Sequence, residues 1–96
     1  SSAASDVYKR QVEEVKNATV AVRKEYERYQ ALSKSVRNMQ RVLSSMRDKY
    51  REGLIEFSDM LTTEQNLLTA QNNLAASGGT VYRNIITFYK AVGGGY

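Results

Sequence analysis

The chain has 96 residues, 42% hydrophobic, 25% charged and 9% aromatic, with 14 basic and 10 acidic side chains and a net charge of +4. It contains no Cys, His, Pro or Trp, which excludes disulfide frameworks, thiol nucleophiles, zinc fingers and His-based acid–base chemistry. The length allows one domain at most. No apolar run is long enough for a membrane-spanning helix, and the positive start and apolar stretch of a signal peptide are missing. Acids and bases alternate along the same segments, the mark of a solvated face rather than a phosphate-binding stripe. These features argue against an enzyme and call for no cofactor or metal.

Residues 1–11, SSAASDVYKRQ, resemble the in-frame translation of a transposase adapter used in preparing sequencing libraries. They are expected to be non-native, with an unknown length of upstream protein missing, although Asp6–Gln11 can extend the following helix passively. Without Asp6, Lys9 and Arg10 the remainder carries 12 basic and 9 acidic residues, net +3.

From residue 12 to 52 there is no Gly, and Lys, Arg, Glu, Gln and Ala abound, so the segment reads as one helix. Val15, Val22, Tyr29, Val36, Leu43 and Tyr50 recur at heptad spacing. A second row, Ala18, Glu25, Leu32, Met39 and Met46, carries one polar fault at Glu25. This is the pattern of a left-handed coiled coil, in a rod roughly 60 Å long that needs a partner helix.

Gly53 ends the rod and residues 53–57 form a turn, with Glu56 or Ser58 opening a second helix over 58–92. Asp59 and Glu64 place negative charge near its positive end. Two adjacent apolar rows run along this helix: Met60, Leu67, Leu74, Val81, Phe88 and Leu61, Leu68, Ala75, Tyr82, Tyr89. A stripe this wide exceeds a two-helix seam and predicts neighbours on both sides. Between Gln65 and Tyr82 no residue is charged. Ser77-Gly78-Gly79 interrupts the helix formers, yet the register continues across it, which favours a continuous or gently kinked helix over a break. Lys90 and Gly93 are stop signals, and residues 93–96 read as a flexible tail. The fold class is all-α, a long antiparallel helical hairpin.

Three blocks add specificity. Residues 50–65, YREGLIEFSDMLTTEQ, resemble the Y-x-x-G-x-x-x-(F/Y)-x-D-V-L-D-A-Q stretch of outer membrane efflux proteins, the TolC-like family. Residues 70–75, AQNNLA, are similar to the family's A-Q-x-x-L-A, and residues 88–96, FYKAVGGGY, to its L-Y-K-A-L-G-G-G-W terminus. The resemblance covers residues 12–96 and only the C-terminal part of a family member. It implies a homotrimer in the outer membrane, with β-strands absent from this chain in the bilayer and long helices forming a periplasmic α-barrel. The hairpin would be the last helical pair of that barrel. Its turn would lie at the periplasmic tip, meeting a periplasmic adaptor protein and, through it, an inner-membrane pump.

On the same resemblance Tyr50 and Asp59 correspond to channel-entrance positions, and Arg51, Glu52, Gly53, Leu54 and Ile55 to the adaptor-docking tip. Ile55 stands where some members carry a gating Arg, Thr62-Thr63 replace Asp-Ala, and Tyr96 replaces the terminal Trp. The fold reading survives these departures; the gating mechanism does not transfer intact.

Read without the resemblance, Gly53 is the residue any helix–helix turn tolerates best, Tyr50 is the last seam residue of the rod, and Asp59 offsets the helix dipole. Arg23, Lys24, Arg28, Lys34, Arg37, Arg41, Arg47, Lys49 and Arg51 spread around the rod among acids and form no nucleic-acid platform. The acid pairs Glu13/Glu14, Glu25/Glu27 and Glu52/Glu56 have no nucleophile or phosphate loop beside them. The alternative is a stand-alone coiled-coil hairpin mediating protein–protein interaction.

Overall fold

A computed structural model describes residues 2–94. Two helices account for nearly all of them, α1 (Ser2–Arg51) and α2 (Phe57–Val92), giving an all-α antiparallel hairpin.

α1 starts at Ser2 rather than at residue 12. Ala3, Ala4, Lys9, Arg10 and Gln11 are helix formers, and adding residues to an existing helix gains one hydrogen bond per residue without a new nucleation step. Residues 2–10 are exposed on every face. At its other end α1 stops at Arg51, one residue before the expected end, because the left-handed Gly53 (φ +76°) draws Glu52 into the turn. α2 begins one residue early, at Phe57, with the Glu56 carbonyl accepting its first bonds from the N–H groups of Asp59 (3.2 Å) and Met60 (3.4 Å). α2 passes through Ser77-Gly78-Gly79 without interruption. Its C-terminal left-handed residue is Gly94 (φ +82°), not Gly93, and Gly94 N–H donates to the Ala91 carbonyl (3.2 Å). Residues 95 and 96, in the segment read as a tail, lie outside the described residues.

The chain divides into two compact units. The first comprises Tyr29–Ala76: the later part of α1, the turn and the earlier part of α2. Here Val36, Leu43 and Leu67 form a buried cluster, with Met39, Met60, Ala70 and Leu74 packed against it. Across the same seam Thr63 Oγ1 lies 2.9 Å from Met46 Sδ. An ion pair between Arg47 and Glu64 (3.4 Å) bridges the helices at the surface, contributing about 0.2–1 kcal/mol at such exposure.

The second unit comprises the described parts of Ser1–Arg28 and Ser77–Tyr96. Its buried residues are Ala18, Ser77 and Ala91. Ser77 is fully enclosed and its Oγ donates to Glu25 Oε2 at 2.5 Å. Asn84 Nδ2 donates to the Ala21 carbonyl at 3.3 Å. The polar fault of α1 is thus met by a polar residue of α2.

Candidate functional site

The turn is built by two backbone bonds. Gly53 N–H donates to the Tyr50 carbonyl (3.0 Å) and Leu54 N–H to the Lys49 carbonyl (2.9 Å). That pairing is a Schellman motif, which satisfies the last carbonyls of α1 and requires the left-handed conformation that Gly53 supplies. Lys49 and Arg51 lie in the last turn of α1 and Asp59 in the first turn of α2, so each helix end carries the charge that complements its dipole.

Of the two residues expected at a channel entrance, Tyr50 is 41% exposed and its ring packs on that of Phe57, centroids 5.7 Å apart. Asp59 is exposed on the first turn of α2. Of the residues expected to dock an adaptor, Arg51 pairs with Asp48 (3.4 Å), Glu52 N–H donates to the Asp48 carbonyl, and Ile55 is half-buried. Leu54 is 67% exposed. Leu54, Phe57, Tyr50 and Leu61 are thus exposed apolar side chains at or beside the turn, as are the charged Arg51, Glu52 and Glu56. Ser58 Oγ lies 3.5 Å from a Glu56 carboxylate oxygen.

Along α2 the two apolar rows have different fates. Met60, Leu67, Leu74, Val81 and Phe88 are buried or half-buried, whereas Leu61, Leu68, Ala75, Tyr82 and Tyr89 are exposed. The seam takes its second row from the opposite flank: Thr63, Ala70, Ser77, Asn84 and Ala91, all buried or half-buried. The wider stripe is not used up by one hairpin.

A model of the outer membrane efflux protein family matches residues 3–94. The chain belongs to this family. Neither a curated protein nor a solved structure matches it. It is a component of an outer membrane efflux channel, and among its described residues no helix is long and apolar enough to cross a membrane.

In this efflux protein the sequence-picked tip residues are brought together by one turn, with Asp59 one helical turn beyond. Phe57 was expected within the turn and in the motif; the structure adds its ring contact with Tyr50 across that turn. The seam row Thr63–Ala91 was missed, since small and polar side chains leave no trace in an apolar periodicity. Among the described residues no group of acidic side chains is arranged to hold a metal ion. The Glu25 carboxyl is held below the ordinary carboxylate range, first by the Ser77 hydroxyl and then by Arg28, whose guanidinium is 3.0 Å away; partial burial opposes both.

Proposed function

We propose that the hairpin is one wall element of the periplasmic helical barrel of a trimeric channel that passes small molecules outward passively. In this reading the channel works in a tripartite assembly with a periplasmic adaptor and an inner-membrane pump, and the turn at Gly53 docks the adaptor. The channel itself catalyses nothing; it is a conduit, and opening is a shift of hairpins between two packed arrangements. The observation that carries the proposal is the uncovered row of α2, with Leu68 58% and Tyr82 and Tyr89 each 68% exposed. Such a row suits a helix with neighbours on more than one side.

The tip assignment rests on Leu54, Phe57 and Tyr50, exposed apolar side chains among charged ones at or beside the turn, the composition of an interface core with a polar rim. The test uses the complete channel in cells that depend on it for efflux. Charge reversal at Arg51 and Glu52 together with Gly53→Val is expected to abolish efflux and adaptor cross-linking while leaving trimers in the outer membrane. Normal efflux in that variant refutes the docking role.

A further inference from the structure

Val81 and Phe88 stand on α2 between two flanks. On one side lie Ser77, Asn84 and Ala91; on the other lie Ile85, Tyr82 and Tyr89. A rotation of α2 about its own axis turns either flank toward α1. Burial of apolar area alone favours the second, since aromatic rings remove far more surface from water than Ser or Asn. The fold takes the first. Ser77 is fully buried and Ala91 is 7% exposed, while Tyr82 and Tyr89 remain 68% exposed.

What separates the flanks is polar chemistry. Within this unit Glu25 is the one charged residue of the α1 seam rows, beside Val15, Ala18 and Val22. Ser77 Oγ donates to it, and Asn84 Nδ2 donates to the Ala21 carbonyl. With the apolar flank turned inward, both bonds are lost and Glu25 keeps only Arg28 while facing hydrocarbon. We infer that the Glu25–Ser77 and Ala21–Asn84 bonds act as an orientation selector: they fix the rotation of α2 and thereby decide which apolar row stays outward. A single buried polar contact is known to set register and pairing in coiled coils at some cost in stability. In this chain the same device keeps Tyr82 and Tyr89 outward, and leaves open a groove of about 430 Å³ lined by Val22, Tyr26, Ile85, Phe88 and Tyr89.

The chain has no cysteine, so a single introduced thiol reports local exposure. Alkylation rates are measured for Tyr82→Cys and Val81→Cys in the full chain, with and without Ser77→Ala/Asn84→Ala. Both alanines keep the seam small and favour helix. The ratio of rates at 82 and 81 is expected to fall by about fivefold or more with helicity unchanged, about fivefold being the lower end of what two net hydrogen bonds supply. Glu25→Ala, which removes the acceptor from α1 instead, is expected to lower the ratio in the same direction. Unchanged ratios in both backgrounds overturn the inference. So does a loss of helicity in both, which makes the bonds a source of stability and not of orientation; if only one background loses helicity, the ratio in the other decides.

Discussion

The unit Tyr29–Ala76 and the unit built from Ser1–Arg28 and Ser77–Tyr96 contain the same two helices but close their seams by different means. The first buries Val36, Leu43 and Leu67 among Met39, Met60 and Leu74. The second buries two alanines and a serine, and crosses the seam with side-chain hydrogen bonds. Each large apolar side chain removed from water stabilises by about 1.5–3 kcal/mol, whereas a net hydrogen bond contributes about 0.5–1.5 kcal/mol. Large apolar layers are non-directional and hold helices together without specifying an angle. Polar contacts are directional, so they specify an orientation while adding little cohesion. One hairpin thus divides adhesion and orientation between two stretches of seam.

The largest expected effect tests the adhesive stretch. Leu43→Ala, at a position 4% exposed, is expected to destabilise the chain by about 2–4 kcal/mol in urea melts followed by circular dichroism. A loss below about 1 kcal/mol would place the cohesion elsewhere and remove the contrast. Next comes the turn that closes this unit. Gly53 has φ +76°, and a Cβ added to it would meet nothing within 4 Å, so the cost of a side chain there is conformational only. Gly53→Val is expected to cost about 1–2 kcal/mol in the same melts; a neutral result means that the turn relaxes out of the left-handed region.

The third prediction probes the orienting stretch from outside its bonds. A Cβ on Gly79 meets only the Arg83 guanidinium, at 3.3 Å, the far end of a flexible side chain that already donates to Thr80. Gly79→Ala is therefore expected to raise stability by about 1 kcal/mol through helix propensity. It should leave the 82-to-81 labelling ratio untouched. A change in that ratio would show that the glycine, and not the hydrogen bonds, governs how α2 is turned.

Helix existence, the turn at Gly53 and the inward α1 rows were legible because apolar residues at heptad spacing leave a strong periodic signal. The family resemblance grouped Tyr50, Gly53, Phe57 and Asp59 by their spacing, and the fold places all four at or beside one turn. What could not be read was which flank of the Met60–Phe88 row faces α1. Leu61, Leu68, Tyr82 and Tyr89 outweigh Thr63, Ser77 and Asn84 in any hydropathy pattern, and the choice between them depends on a partner for Glu25 located on another helix. A polar fault in one helix carries no address for its counterpart until both are folded. The start of α1 at Ser2 lies four residues beyond the passive extension expected from Asp6, since lengthening an existing helix needs no new nucleation whether or not the added residues pack on anything.

The smallest effect concerns that fault directly. Glu25 is easier to ionise in the folded chain, because the Ser77 hydroxyl and then Arg28 favour its charged form. A carboxyl with a lowered folded pKa contributes stability that is complete above its unfolded value and is lost as the pH falls through the folded value. The stability gap between the chain and its Glu25→Gln variant is therefore expected to be constant from neutral pH down to the ordinary carboxylate range, and to shrink on further acidification. Urea midpoints for both proteins along that series measure it. A gap that persists undiminished in acid would mean that the neutral acid serves Ser77 as well as the carboxylate does. The seam would then be oriented by shape and hydrogen bonding, with no contribution from charge.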